Sequence, residues 1–337
     1  IQLSGDFGYQ FNHREEWSAF HTHYDTQMMP AKDPDRELVF KLHTFSSSLK
    51  LRLSSSSSWE HMAGWNMQIQ KNAIGGYSFL LPEYKRFTTG AFWLTTFRLD
   101  NQLSVTGGIR YDRGRIDIAA FEDPYLVEYL HRQGYEEEVI QAYRWRSYPV
   151  DRAYGNYSCS AGVVWTPAAG HLLKMNVGRS FRLPGVNELA SNGVHHGTFR
   201  HEKGDATLSS EQGWQIDASY TLAYKKMELV VSSFASWFDN YIYLRPMGEW
   251  SVLPHAGQIY QYSGARALFM GGEINFNMDF LRHFNYRLVG EYVYTYNRDE
   301  HTALSFSPPV SMRNILTWNK KDFQLYAELQ SIASQNR

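Results

Sequence analysis

Apolar and polar residues alternate one by one along most of this chain, and no other feature narrows its fold as far. From the start, Ile1, Leu3, Phe7, Tyr9 and Phe11 share one parity, while Gln2, Ser4, Asp6, Gln10 and Asn12 take the other. Leu103, Val105, Ile109 and Tyr111 oppose Ser104, Thr106, Arg110 and Asp112 in the same way. The pattern returns over 157–166, over 211–222 and over 273–280, where Ile274, Phe276 and Met278 oppose Glu273, Asn275 and Asn277. Side chains of a strand point alternately to its two faces, so a period of two predicts strands with one apolar and one polar face.

Noisier runs of the same kind lie near 36–54, 58–71, 86–99, 171–183, 226–244, 284–298, 308–319 and 322–333, bringing the expected total to thirteen strands. Many exceed the five or six residues of an ordinary strand and suit the roughly 9–11 that a tilted strand needs to cross a bilayer. Their connections also alternate. Tight turns are expected at 54–58, 100–101, 167–171, 224–226, 279–284 and 319–322, and long polar segments at 13–35, 72–85, 119–155, 184–207, 245–258 and 299–307. Short turns at one end and long loops at the other are the arrangement of outer-membrane barrels, periplasmic and extracellular respectively. Within the longest loop, Asp123-Pro124 reads as the start of a short helix.

Composition separates this reading from a soluble β-sandwich. The chain holds 23 Tyr, 20 Phe and 10 Trp, or 16% aromatic residues, in keeping with the girdles of a membrane barrel. The polar faces carry few large apolar residues, whereas a sandwich must bury one face of each sheet against the other. With 33 basic and 34 acidic residues the chain has no field to attract nucleic acid. The lone Cys159 excludes an internal disulfide or a cysteine-based zinc site. No run approaches the roughly 20 apolar residues of a spanning helix. IQLSGDFGYQ lacks the pattern of a signal peptide and reads as a strand already under way, and both ends are read as cut. The expectation is an all-β, antiparallel transmembrane β-barrel in which 1–337 form one partial barrel domain.

Residues 178–212, GRSFRLPGVNELASNGVHHGTFRHEKGDATLSSEQ, resemble a stretch shared by TonB-dependent outer-membrane receptors. There a strand ends in Phe-Arg-x-Pro, continues to Glu-Leu and, after a loop, gives Gly-Asn-Pro-x-Leu-x-Pro-Glu. The matching residues are Phe181, Arg182, Pro184, Glu188, Leu189, Gly204, Leu208 and Glu211, with Asp205, Ala206 and Ser210 departing from the pattern. Upstream, LPEYKRFTTGAFWLTTFRLDNQLSVTGGIRYDRGRIDI resembles the family's run from Pro-x-Tyr to Gly-Gly-x-Arg-Tyr-Asp. The resemblance implies a 22-stranded barrel with a plugged lumen, of which these strands would be the ninth to the twenty-first. It also implies an N-terminal plug domain, whose motifs do not occur in this sequence, and a TonB box within it through which the receptor contacts TonB.

Covalent chemistry finds little footing: nucleophile elbow, phosphate-binding glycine loop and His-Glu-x-x-His motif are all missing. The loop residues are the candidate ligand contacts. His195, His196 and His201 accompany Glu202 and Asp205 in one loop, and His21 and His23 lie in another. Imidazole is the commonest transition-metal side-chain ligand, so His195 and His201 are candidate metal ligands if 192–205 folds back as a hairpin; solvated loop histidines are the alternative. Tyr24, Tyr135, Trp145 and Trp250 are candidate stacking platforms or interface residues. The expected function is energised import of a scarce nutrient such as a siderophore, haem or metal ion, with TonB and the lipid bilayer as partners. No resident cofactor and no nucleic acid partner are expected. A passive porin and a barrel enzyme are the alternatives.

Overall fold

The computed structural model describes residues 1–22, 24–54, 56–195, 198–305 and 307–335. The thirteen long strands are β1 (Gln2–Trp17), β2 (Arg36–Ser54), β3 (Trp59–Gly75), β4 (Tyr84–Arg98), β5 (Leu103–Ile118), β8 (Val150–Trp165), β9 (His171–Arg182), β12 (Glu211–Tyr224), β13 (Met227–Trp250), β14 (Gln258–Phe280), β15 (Phe284–Asn297), β16 (Ser311–Lys320) and β17 (Phe323–Ile332). They pair in that order as neighbours in one antiparallel sheet. The loop after β5 holds β6 (Phe121–Glu122), α1 (Pro124–Arg132), α2 (Glu137–Tyr143) and β7 (Trp145–Ser147). The loop after β9 holds α3 (Val186–Ala190) and the hairpin β10 (Asn192–His195) and β11 (Arg200–Lys203). Among the described residues β1 and β17 do not pair with each other, so the sheet is open between them, as a piece of a larger barrel would be.

Short and long connections alternate as the turn chemistry predicts. Lys225 and Lys226 alone join β12 to β13, with Lys225 at φ 53°. Leu281 (φ 54°) and Lys321 (φ 52°) also turn the chain at this end. Between β4 and β5, Asp100 Oδ1 accepts from the amides of Gln102 and Leu103, both at 2.7 Å, closing an Asx turn.

The two faces separate by parity. Val105, Ile109, Trp214 and Ile216 are exposed on the outward face together with Trp65, Trp93 and Trp237. Leu103, Phe276 and Met278 share this parity and are half-buried. On the inner face Arg110 Nε donates to Asp112 Oδ2 and its Nη2 to Asn66 Oδ1, both at 2.6 Å. Gln215 donates to Asp217 and accepts from Ser236 there as well. All thirteen long strands lie in a single sheet, which removes the sandwich alternative.

The strands run further into the loop end than their patterning predicts. β13 and β14 continue through the 245–258 segment, pairing Arg245 with Gln261, Pro246 with Tyr260 and Trp250 with Gln258, which shortens the loop to 251–257. β1 reaches Trp17 and β8 begins at Val150. Beyond the bilayer both faces of a strand meet water or other loops, so the alternation fades while the hydrogen-bond ladder persists.

One seam interrupts the wall. β8 pairs with β5 along its full length, from Leu103–Trp165 to Ile118–Val150, but with β9 only from Trp165–Leu173 to Cys159–Arg179. Above that point side chains of β8 reach the 206–210 segment instead. Arg152 Nη1 donates to Ala206 O at 2.5 Å, Tyr154 Oη to Leu208 O at 3.4 Å and Asn156 Nδ2 to Ser210 Oγ at 3.0 Å. Arg179 lies over the Tyr157 ring, 4.0 Å from its centroid, and donates to the Tyr157 carbonyl.

Candidate functional site

The Phe-Arg-x-Pro stretch ends β9 and turns the chain onto the inner wall. Arg182 is the centre of the turn. Its Nη1 donates to both oxygens of Glu188 (3.0 and 2.8 Å), and its Nη2 to Glu211 Oε2 at 3.1 Å. Each carboxylate also takes a backbone amide, Glu188 from Gly185 at 2.7 Å and Glu211 from Ile242 at 3.0 Å. Pro184 and Leu189 are fully buried, and Leu189, Ala190 and Leu208 form a core with Ile116, Ile118, Val150 and Ile242 of the wall. Gly204 lies against the end of α3, where a Cβ would stand 2.5 Å from Ala190 N and 2.7 Å from Leu189 C. Phe181 stays in the ladder opposite Gln212. The matching residues therefore fasten one loop to the barrel.

Above this lock a second apolar core joins four loops. Tyr24, Leu126, Leu130, Ile140, Val194 and Leu253 are buried together. α1 is expected from Asp123-Pro124 and begins there, with Asp123 Oδ1 accepting from Tyr125 N and Leu126 N. The polar hub of this cap is Asn192, whose Nδ2 donates to Trp145 O (2.7 Å) and Ala142 O (3.0 Å) while Oδ1 faces His201 Nε2 at 2.8 Å. An amide oxygen only accepts, so His201 carries its proton on Nε2, and Nδ1 accepts from Ser251 Oγ at 2.8 Å. Burial first, then Arg146 and Lys203, pushes the His201 pKa down to about 3.

The candidate ligand contacts divide accordingly. The 192–203 hairpin forms, pairing His195 with Arg200 and Val194 with His201, so positions 195 and 201 fall on opposite faces of it. His201 has both ring nitrogens engaged. Glu202 accepts from Tyr262 Oη at 3.2 Å and from Arg200 at 3.4 Å. Asp205 accepts from the amide and hydroxyl of Thr207. His21 stands apart at the base of the β1–β2 loop, against Tyr77 and 4.0 Å from Glu37 Oε1. His23 and His196 lie outside the described residues, as does the side chain of His195. Among the described residues no three His, Cys, Asp or Glu side chains converge as a metal would require. Of the expected platforms, Tyr24 is buried in the cap and Trp250 is exposed.

Sequence reasoning missed Asn192 and Arg146, because neither residue type nor spacing marks them. Arg146 is buried on β7; its Nη1 donates to Tyr24 Oη at 3.1 Å and lies 3.9 Å from Asp123 Oδ2. Two hollows meet at this residue, of about 490 Å³ and about 340 Å³. A larger trough of about 570 Å³ runs along the inner wall past Lys174, Asp217 and Glu273.

The family described as TonB dependent receptor-like, beta-barrel, matches residues 2–336. No curated protein sequence matches the chain. Among solved structures, the copper transporter OprC aligns with a TM-score of 0.69 at 17% identity, over 89% of this chain and 44% of its own. A double mutant of the Serratia marcescens haemophore receptor HasR, in complex with its haemophore HasA and haem, aligns at 0.61 with 18% identity, over 89% and 55%. The FrpB iron transporter of Neisseria meningitidis (F3-3 variant) aligns at 0.61 with 12% identity, over 97% and 47%. The likeness at these identities is one of fold, and the chain spans about half the length of these structures.

Proposed function

We propose, from the premise that this chain belongs to the TonB-dependent receptor family through its β-barrel, that it is part of a Gram-negative outer-membrane receptor importing a scarce nutrient. The observation that carries this reading is the cap. The long-loop end is folded around its own apolar core and hollows, while the inner wall below it is lined by groups such as Arg110, Asp112, Gln215 and Asp217. A cap of this kind holds a molecule at the mouth, and a polar wall gives it a wet path inward. The lock at Arg182 ties the cap to the wall, so the loop above it keeps its position relative to the lumen. Movement of the cargo then requires the plug and TonB, in keeping with the family.

Siderophore, haem or metal ion is the class of cargo this reading favours, by analogy with the copper, haem and iron proteins of the same fold. The test is uptake of radiolabelled iron, haem and copper by cells expressing the full-length receptor, with TonB intact or deleted. TonB-dependent uptake of one of them is the expected result. Uptake of small solutes that ignores both TonB and cargo identity would establish the passive porin instead.

A further inference from the structure

The outward face gathers cations where its apolar stretch stops. On β3 the outward residue Ile69 is followed towards the loop end by Lys71, and on β4 Phe87 gives way to Lys85. β5 passes from Tyr111 to Arg113 and Arg115, and β2 passes from Phe45 through His43 to Lys41. All five cations are exposed. The ladder draws them into one patch. Lys71 stands directly opposite Lys85, Lys41 lies diagonal to Lys71, and Arg115 lies diagonal to Lys85.

Like charges directly opposite in an antiparallel pair, with Cβ atoms about 4.5–5.5 Å apart, destabilise it. Little in the chain offsets this pair. Among the described residues only Arg115 of the five is in an ion pair, with Asp151 at 2.6 Å. Asp117 faces Lys85 across the ladder, but no ion pair joins them. Glu83, just before β4, accepts from the Ile74 amide. By contrast Arg266 on β14, outward by parity with Leu268, is matched by Asp299 at 2.6 Å. The patch therefore calls for an anion from outside the chain, and its depth selects the kind. Phe45, Ile69 and Phe87 form a cross-strand row of exposed apolar side chains one step below the lysines. Positive charge thus begins where acyl chains end, the level of a lipid phosphate.

We propose that the outward face of β2 to β5 is a binding site for a phosphorylated glycolipid of the outer leaflet. One phosphate sits between Lys71 and Lys85, and the acyl chains rest on Phe45, Ile69 and Phe87. Arg113, on the next strand round the wall, is placed for a second phosphate of the same headgroup. Lysine ammonium groups act on phosphate as point charges and donate to it without a fixed fork geometry, which suits a headgroup shared between two strands. With the anion bound, repulsion between β3 and β4 becomes attraction through a common partner. The lipid then fastens the wall from outside, as Arg182 fastens the loop from within. The site rests on the outer-membrane placement of the barrel and is independent of which cargo is imported.

The test uses the full-length receptor in an uncharged detergent, with bisphosphorylated lipid A, the same lipid stripped of its phosphates, and inorganic phosphate as probes. Native mass spectrometry counts bound lipid, and thermal melting reads its effect on the barrel. Unsubstituted receptor is expected to hold the phosphorylated lipid about tenfold or more tightly than the stripped one, and to melt at a higher temperature with it. Lys71→Gln combined with Lys85→Gln should abolish both effects. It should leave the lipid-free melting temperature unchanged or raised, because it relieves the opposed charges. Lys71→Arg with Lys85→Arg should keep both effects, and Arg266→Gln should not alter them. The comparison of lipids on unsubstituted receptor keeps the test decisive if the glutamine variant fails to fold. Equal retention of the two lipids, a preference that survives loss of both lysines, or an equal rise in melting temperature with inorganic phosphate would each overturn the proposal. Phosphate-dependent retention in a receptor without energised uptake would leave this site standing and remove the import reading; uptake without that retention would do the reverse.

Discussion

Gly204→Ala should release the 183–210 loop while leaving the barrel intact. The added Cβ would stand 2.5 Å from Ala190 N, 2.7 Å from Leu189 C and 2.8 Å from Ser191 N. All three are backbone atoms at the end of α3, so no side chain can swing away to make room. Separation has to break the bonds that draw the two segments together, Gly204 N to Ser191 O at 2.6 Å and Asp205 N to Glu188 O at 2.8 Å. Overpacking costs about 1–3 kcal/mol and each lost bond about 0.5–1.5, for roughly 2–6 kcal/mol in all. That loss falls on the loop, because the ladders of β5, β8 and β13 do not pass through Gly204. Hydrogen exchange on the full-length receptor should show peptides of 183–210 exchanging faster by about 30-fold or more, with strand peptides unchanged. Gly107→Ala is the control, since its Cβ meets nothing nearer than Ser160 O at 3.7 Å. Wild-type protection of 183–210 in Gly204→Ala would refute the reasoning, since it would mean that α3 is not held where its bonds place it.

Two further outcomes follow from single residues. His201 has a folded-state pKa of about 3 against an ordinary 6.5, so the unfolded segment binds the extra proton between those values. Its contribution to cap stability is complete above about pH 6.5 and is lost as the pH falls towards 3, at about 1.4 kcal/mol per unit. Cap peptides should therefore exchange faster at pH 5 than at pH 7 after correction for intrinsic rates, and His201→Asn should flatten that dependence; a slope unchanged by the substitution would assign it to another group. Leu281 turns the chain at φ 54° with an exposed side chain. Leu281→Gly relieves about 1–2 kcal/mol of left-handed strain and loses about 0.5–1 to the freer unfolded chain, so the detergent-solubilised receptor should melt slightly higher, and a lower melting temperature would contradict this.

The wall was more legible than the cap, for a physical reason. A strand between lipid and water has two unlike solvents, and residues such as Ile109 and Arg110 record that difference at every step. The thirteen strands and the alternation of turns with loops follow from that record. Where β13 and β14 rise past Arg245, the contrast between solvents ends, and the patterning no longer reports the ladder. α1 is readable because Asp123-Pro124 is a local capping signal. Asn192 and Arg146 are not, since their importance comes from partners such as Ala142, Tyr24 and Gly193 that meet only in the folded cap. The resemblance around Phe181–Glu211 marked a real constellation, but its residues face one another: Arg182, Glu188 and Glu211 are spent on fastening. His201 illustrates the same shift, a histidine suited to metal by type and committed by position to Asn192 and Ser251.

The half-length ladder between β8 and β9 changes what sort of segment 183–210 is. Surface loops of a barrel normally tolerate drift and exchange, because the wall beneath them is complete. Here Ala206, Leu208 and Ser210 are held by side chains of upper β8, accepting from Arg152, Tyr154 and Asn156 where the ladder to β9 has ended. The segment is thus masonry, bound to evolve at the slow pace of a core. Freedom to diversify lies elsewhere at this end, as at the exposed residues 135–138 between α1 and α2 and at the start of α2. A lineage under pressure to alter its outer surface would vary there and leave 204–210 alone.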